Sequence, residues 1–317
     1  MTVAAARVGV VVLNWRGEAE TRRCLAALAR QVGGPLDVLV VDNGSGRDEA
    51  ERLQALAPTL ALAENRGFAG GMNAGAAALL ARGCSHLLLL NNDCELAPGA
   101  IAALLSAGAD VAVPTLWHGR APARTRCWYA GGRLGRWSLE PHHETRPPRA
   151  GAAPRPVTFA TGCAWLVTAA AWRRLGGFEE GFFLYHEDVD ASLRARAAGL
   201  SLAWVPAAEG WHVGGAATGG RGGRAPLVDY HDTRNGLAVI RRHRHGAGRL
   251  LALAWWGLVR LPRKVLRIAL GGGPSRREAL EAVRDGVRDG FHGVEGPWDT
   301  PASARLNMSV ARTPERP

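Results

Sequence analysis

The sequence predicts an α/β fold: a mostly parallel, doubly wound sheet with helices added at the C-terminal end. Three observations predict it. Short, fully apolar runs alternate with segments of helical period through the first half of the chain. Those runs stop at polar residues, which recur at the same end of successive runs. From residue 226 on, helical patterns stand alone. Strands buried on both faces read as continuous apolar runs, and strand–helix alternation closes into a parallel sheet.

Residues 8–13 are a β-branched run and read as a buried strand ending at Asn14. Residues 20–31 place Leu25 and Leu28 at helical spacing. A second strand, 38–41, ends at Asp42-Asn43, and 48–57 is helical. The turn Arg66-Gly67-Phe68-Ala69-Gly70-Gly71 opens a helix of small residues that runs to 81. Residues 87–90 form a third strand, ending at Asn91-Asn92-Asp93. A helix follows over 98–107, begun at Pro98, and then a short strand over 111–113. Residues 117–156 are rich in Gly, Pro, Arg and Trp without a period, and predict an excursion over the sheet with a small antiparallel piece. A strand and a tight Thr161-Gly162 element occupy 157–167, a helix stopped by Gly199 covers 188–198, and 202–205 is a strand. Residues 214–224 predict a mobile glycine-rich loop. Helices are expected over 227–243 and 276–290, with an apolar to amphipathic segment over 250–270 broken at Pro262. Ligands of such sheets bind outside the carboxyl ends of the strands, where these polar residues lie.

With 317 residues, 47% hydrophobic and 21% charged, the chain is globular as a whole. Its net charge is +11, and Lys264 is its one lysine, so the excess is arginine. Nucleic-acid binding calls for a basic stripe with interleaved aromatics. The cationic excess gathers instead in 241–277, which suits an anionic lipid or a phosphate-bearing substrate. No nucleic-acid partner is expected. Five widely spaced cysteines without a C-x-x-C exclude a zinc or disulfide framework and predict reduced thiols in the cytoplasm. The first apolar run is too short for a signal peptide, and 250–270 is interrupted by Arg260, Arg263, Lys264 and Arg267, so no membrane span is predicted. The glycine runs match neither a P-loop nor G-x-G-x-x-G, which argues against ATP or nicotinamide sites.

Three positions carry candidate chemistry. Asp93 at a strand end can hold Mg²⁺ or Mn²⁺ with positions left open for phosphate, or can serve as a turn residue before the next helix. Glu187-Asp188, after an aromatic segment, can cap a helix or form an acid pair in which one carboxyl is raised by its neighbour. His212, in Trp211-His212-Val213-Gly214, is either a structural histidine or a ligand.

The motifs in this order resemble glycosyltransferase family 2 enzymes of the GT-A fold, in particular their bacterial rhamnosyltransferase-like branch. The matching pieces are Val11 to Trp15, Val40 to Ser45, Glu64 to Asn73, Leu90 to Asp93, Thr161 to Cys163, Gly176 to Asp190, and Trp211-His212, with Arg234-Asn235 further on. The resemblance implies a catalytic domain over 1–225, with a nucleotide-sugar half at about 1–115 and an acceptor half at about 116–225. A helical region over 226–296 and a disordered tail over 297–317 would follow. It implies that Asn14, Asp42 and Asn43 line the nucleotide pocket. Arg66, Gly67 and Asn73 would approach the base or diphosphate, Asn91 and Asn92 the ribose or sugar, and Gly162 the donor sugar. Asp93 and His212 would bind a divalent metal, Mg²⁺ or Mn²⁺. Asp188 would be the general base, with Glu187 beside it. The D-x-D element of the family is reduced here to Asn91-Asn92-Asp93, and Met72 replaces a frequent asparagine.

The resulting expectation is an inverting, metal-dependent transfer from a nucleotide-diphosphate sugar (dTDP-rhamnose-like, UDP-, GDP- or ADP-linked). The acceptor would be a glycan, a lipid-linked glycan or a small natural product. The alternatives are a nucleotidyltransferase, which would want a Gly-x-Gly-x-Arg element after the first strand, and a non-catalytic nucleotide-binding or membrane adaptor. Residues 250–270 set aromatic and aliphatic side chains among Arg260, Arg263, Lys264 and Arg267, the pattern either of a helix lying in a membrane interface or of a packed helix with wet arginines. The first of these would make the protein peripheral at the inner face of the membrane.

Overall fold

A computed structural model describes residues 6–214, 225–271 and 276–298. Most of the expected mobile loop, 215–224, and the expected disordered tail from 299 lie outside the described residues. The chain divides into two compact units. One comprises Met1–Gly135, Glu140–Glu180 and Glu187–Gly214, and the other Arg136–Leu139, Gly181–His186 and Gly215–Pro317.

The first unit opens with β1 (Val8–Asn14), α1 (Glu18–Leu28), β2 (Leu36–Asp42), α2 (Arg47–Gln54), β3 (Thr59–Ala61), α3 (Gly67–Ala81) and β4 (His86–Asn91). It continues through β5 (Cys94–Leu96), α4 (Ala100–Ser106), β6 (Val111–His118), β7 (Cys127–Tyr129), β8 (Gly132–Leu134), β9 (Pro141–His143) and β10 (Arg155–Pro156). It ends with β11 (Ala164–Thr168), α5 (Ala169–Leu175), α6 (Glu187–Ala197) and β12 (Leu202–His212). The main sheet runs in the order β10-β12-β6-β11-β4-β1-β2-β3, and the expected antiparallel piece is the pair β8-β9.

The strands expected from apolar runs form the centre of this sheet. Val10, Val11, Val12 and Leu87 through Leu90 are fully buried. β1 pairs in parallel with β2 and β4, so Asn14 stands opposite Asp42, and Leu13 opposite Asn91. One difference from a uniformly parallel sheet is β11, which lies antiparallel between β4 and β6. An apolar run fits either direction, so its sequence does not specify which.

The small residues of α3 have a packing reason. A Cβ on Gly71 would stand 2.4 Å from Leu13 Cδ1, and one on Gly75 2.5 Å from Val11 Cγ1. The helix therefore lies directly on β1, and Met72, in place of the family's frequent asparagine, is fully buried beneath it. β12 runs well past the expected 202–205. A register shift between Val205 and Glu209 absorbs Pro206, and the strand resumes to His212. That extension pairs with β5, setting His212 opposite Cys94.

The second unit holds α7 (Pro226–His243), α8 (Gly246–Trp255), α9 (Leu261–Leu270) and α10 (Arg276–His292). α7 and α10 touch backbone to backbone, since a Cβ on Gly286 would lie 2.7 Å from the Tyr230 carbonyl oxygen. Two expectations for 250–270 are corrected. Pro262 does not break the helix: a π-helical turn, Trp256–Arg260, joins α8 to α9, and the proline falls in the first turn of α9, where its missing N–H is tolerated. Nor do the four cations form one outward face. Arg260 Nη2 donates to Asp232 Oδ1 at 2.9 Å, and Lys264 Nζ donates to Asp232 Oδ2 at 2.6 Å and to the Asp229 carbonyl at 2.9 Å. Burial disfavours the charge on Asp232, but these cations and His186 outweigh it and hold its carboxyl well below the usual range. Arg263 stays outside, and Arg267, though exposed, reaches to 3.6 Å from the buried Asp229 Oδ1. No described helix is long and apolar enough to cross a membrane.

Candidate active site

The carboxyl ends of β1, β2 and β4 set Asn14 opposite Asp42, and Asn91 opposite Leu13, one residue before Asn14. Asn14 is fully buried and is the node of a polar network. Its Nδ2 donates to Asp42 Oδ1 at 3.0 Å and Glu49 Oε1 at 2.9 Å. Its Oδ1 accepts from Thr21 Oγ1 at 2.8 Å and from Asn92 Nδ2 at 3.3 Å. Asn92 also donates to the Gly17 carbonyl and to Thr21, so it ties β4 to the start of α1. Asn91 differs from both: its Oδ1 is buried without a hydrogen-bond partner.

Asn43 holds the turn that follows β3. It donates to Asn65 Oδ1 and the Gly67 carbonyl, each at 2.9 Å, and accepts from the Arg66 N–H at 3.0 Å. Gly67 then takes φ 72° to enter α3, a left-handed value that favours glycine. Arg66 Nη2 meets Glu180 Oε2 at 2.9 Å. Asn73 donates to Glu180 Oε1 at 3.0 Å and exchanges hydrogen bonds with the backbone of Phe178. The Asn73 hydrogen bond, with help from Arg66, holds the Glu180 carboxyl below the usual range. Glu180 is the functional candidate that sequence reasoning missed. Its motif was visible, but nothing in the sequence shows that it joins Arg66 to Asn73.

Asp93 and His212 come together through the β5–β12 pairing. His212 Nε2 lies 3.2 Å from Asp93 Oδ1, and both side chains are nearly buried. Burial opposes ionisation of Asp93, but His212 and backbone N–H groups outweigh it, and its carboxyl sits below the ordinary aspartate range. The imidazole packs on Trp128 with centroids 4.6 Å apart, and its Nδ1 is buried without a partner. Two cis ligands of an octahedral cation at about 2.1 Å would stand about 3 Å apart, so the pair fits one edge of a Mg²⁺ or Mn²⁺ coordination sphere. Among the described residues no cluster of three or more His, Cys, Asp or Glu could hold an ion. A cation here would take its remaining ligands from phosphate oxygens and water.

Asp188 stands in the first turn of α6. Its Oδ2 accepts from the Gly162 N–H at 2.9 Å, and its Oδ1 from the Val189 N–H at 2.8 Å. The next residue, Cys163, gives its carbonyl to the Asn91 N–H at 3.0 Å, which ties the Asp188 anchor to the end of β4. A Cβ on Gly162 would lie 3.3 Å from Asp188 Cβ, so a side chain there would crowd the carboxylate. Glu187 is buried, and burial first, then the Asp188 charge, push its carboxyl well above the usual range. Asp190, the third acid of the segment, is bonded to Arg194 at 2.7 Å and has a structural role.

Comparisons with known proteins bear on the family and the fold. A family model described as glycosyltransferase-like family 2 matches residues 5–244. An N-acetylglucosaminyl-diphospho-decaprenol L-rhamnosyltransferase of Mycobacterium tuberculosis is 28% identical, covering 88% of this chain and 94% of that one. The rhamnosyltransferase WbbL of Escherichia coli K12 is 39% identical over 56 residues, 18% of this chain and 21% of the relative. The mannosyltransferase PcManGT of Pyrobaculum calidifontis, solved with GDP-Man and Mn²⁺, aligns at TM-score 0.51 and 16% identity over 98% of this chain and 81% of that one. GalNAc-T7, solved with UDP, GalNAc and Mn²⁺, aligns at TM-score 0.58 and 15% identity over 97% of this chain and 58% of that one. At these identities the two structures show the fold, and it is the GT-A fold that the motifs led us to expect.

Proposed function

The chain belongs to glycosyltransferase family 2, and from that premise we propose that it is an inverting, metal-assisted enzyme that moves a deoxyhexose such as L-rhamnose from a nucleotide sugar to a lipid-linked acceptor. Glycosyl transfer is the family's activity. The choice of sugar and acceptor follows the name of the mycobacterial relative. The observation that carries the reading is the placement of two different devices at the end of β4: Asp93 with His212, and Asp188 anchored on Gly162.

A divalent cation held by Asp93 and His212 would neutralise the charge that develops on the leaving diphosphate. Asp188 supplies the base. Both of its oxygens are oriented by backbone N–H groups, which fixes the carboxylate that would take the proton of the acceptor hydroxyl. The raised carboxyl of Glu187 keeps its proton longer, which leaves the ionised role to Asp188. Asp42, held by Asn14, faces the base or ribose. Arg66 would exchange Glu180 for the diphosphate, with Asn43 and Asn73 shaping its approach. One displacement with one base inverts the anomeric centre.

Nucleoside diphosphates test donor recognition. With Mn²⁺ present, one of the dTDP, UDP, GDP and ADP series should raise the melting temperature, since a ligand at 100 times its Kd stabilises by about 2.7 kcal/mol. Absence of a shift with every diphosphate, in Mn²⁺ and in Mg²⁺, would remove the nucleotide-sugar reading.

A lipid-linked acceptor calls for contact with a membrane, and the second unit offers a surface for it. Leu250, Leu251, Leu258, Leu266 and Leu270 are exposed on α8, the π turn and α9, with Leu258 79% exposed, and Arg263 and Arg267 are exposed among them. Two outward cations instead of four reduce the expected attraction to anionic lipid to about 2 kcal/mol, at about 1 kcal/mol each. Apolar insertion then matters more than charge. Leu258→Asp with Leu266→Asp should abolish co-sedimentation with phosphatidylglycerol-containing vesicles, and Arg263→Gln with Arg267→Gln should weaken it only at low salt. Equal pelleting of all three proteins would contradict membrane contact through this surface. Arg260 and Lys264 are left untouched, because removing either strands part of a buried charge on Asp232.

A further inference from the structure

The segment leading into the acid pair has an unusual backbone. Phe183, Tyr185 and His186 take φ of 61°, 66° and 70°. All three carry side chains, and a left-handed course is costly for such residues. Strain of this kind persists only where surrounding groups over-determine it. Most of the groups that meet this segment's carbonyls are on one helix, α7, with the Gly296 N–H donating to the Gly181 carbonyl as well.

Asn235 is the centre of the grip. Its Nδ2 faces three carbonyls in the segment: Phe182 at 2.9 Å, Leu184 at 2.8 Å and Tyr185 at 2.7 Å. Its Oδ1 accepts from Arg234 Nε at 2.8 Å, which fixes the amide with its N–H groups toward the segment. Arg234 Nη2 donates to the carbonyls of Gly181 at 3.1 Å and Phe182 at 2.9 Å. Both side chains are 1% exposed, so these contacts are made out of water. One turn earlier, Asp232 Oδ1 meets His186 Nε2 at 3.2 Å, and the His231 ring stacks on Phe183 with centroids 5.3 Å apart. The six consecutive positions from Gly181 to His186 are thus each met by residue 231, 232, 234 or 235. The next residues of the chain are Glu187 and Asp188, the start of α6.

We propose that Arg234 and Asn235 are positioning residues for the acid pair: they clamp residues 181–186, with the left-handed turns at Phe183, Tyr185 and His186, and so fix the segment that runs directly into Glu187 and Asp188. The proposal rests on the reading of Asp188 as the base. A carboxylate could not replace Asn235, because it would face three carbonyl oxygens with no proton to give.

The full chain carrying Asn235→Ala, and separately Arg234→Lys, tests the clamp. Lysine keeps the charge and loses the fork, which gives a milder variant should Asn235→Ala fail to fold. Transfer kcat should fall by roughly 10- to 100-fold, while nucleoside diphosphate affinity stays within about twofold. Placed in an Asp188→Asn background, Asn235→Ala should lower the residual rate no further than about twofold, since it acts through the residue already disabled. Losses that multiply, or a kcat unchanged beside a lowered melting temperature, make Asn235 a packing residue and overturn the clamp. Amide exchange separates failure of the clamp from failure of the base. Faster exchange confined to residues 182–188 in Asn235→Ala supports the clamp even if Asp188→Asn retains transfer, and unchanged exchange there overturns it.

Discussion

Asp188→Asn should lose transfer by about 10²- to 10⁴-fold, the range a positioned general base contributes, and keep its affinity for nucleoside diphosphate. The carboxylate oxygens accept from Gly162 and Val189, so the asparagine can preserve one of these bonds but turns an NH2 group toward the other amide. That mismatch lowers stability somewhat, and melting temperature must be followed beside the rate. It leaves unchanged Asp93 and His212, the pair proposed to serve the diphosphate. The expected signature is therefore a loss in kcat at nearly constant donor binding, which marks an interaction made in the transition state. A mutant within tenfold of the wild type would show that the acceptor proton leaves by another route. Glu187→Gln offers the internal comparison. Its carboxyl is held up by burial and by the Asp188 charge, so removing its proton acceptor should cost far less than removing that of Asp188.

Asp93→Ala should lower transfer by about 10²- to 10³-fold, the scale of losing one charge-stabilising group in an active site, and should erase the dependence on Mg²⁺ or Mn²⁺. Unlike the base variant, it should also weaken diphosphate binding, because Asp93 would hold the cation that offsets the charge of the diphosphate. His212→Ala should act in the same direction and more mildly, since it removes a neutral ligand and leaves the carboxylate. It also removes the neighbour that holds the Asp93 carboxyl down against burial, so the remaining aspartate should bind metal less well as pH falls. Full wild-type activity in excess chelator would end the metal role of both residues.

The fold was legible because its central strands are buried on both faces. Nothing but apolar residues fits residues 8–13 or 87–90, and the polar stops at Asn14, Asp42 and Asn91 gather at one end of the sheet, Asn14 level with Asp42 and Asn91 one residue earlier. Strands of two or three residues, such as β3, β5 and β10, carry no period and were invisible. The far half of β12 was hidden by Pro206 and Gly210, which interrupt its apolar run, yet it is this half that sets His212 beside Asp93. The site was legible as residue types and less so as roles. A polar residue at a strand end can face a ligand or a neighbour, and one sequence does not distinguish them. Asn14, Asn43 and Asn73 have their amides engaged within the protein, whereas the Asn91 Oδ1 has no hydrogen-bond partner among the described residues. Arg234-Asn235 was visible as a motif, but its partners are backbone carbonyls, which leave no mark in a sequence. The cations of 250–270 were read as one face because helical period was broken at Pro262. The π turn keeps the helix going and rotates Arg260 and Lys264 onto Asp232.

The central claim is that the end of β4 is a nucleotide-sugar site in which Asp93 and His212 serve the diphosphate. Release of nucleoside diphosphate from a panel of dTDP-, UDP-, GDP- and ADP-sugars measures it most directly, with wild type and Asp93→Ala each assayed in Mn²⁺ and in chelator. The account predicts diphosphate release from at least one donor by the wild type in Mn²⁺, a rate that collapses in chelator, and an Asp93→Ala rate that is low and indifferent to the metal. Release of the same diphosphate at an undiminished rate in chelator, or by Asp93→Ala, would contradict it.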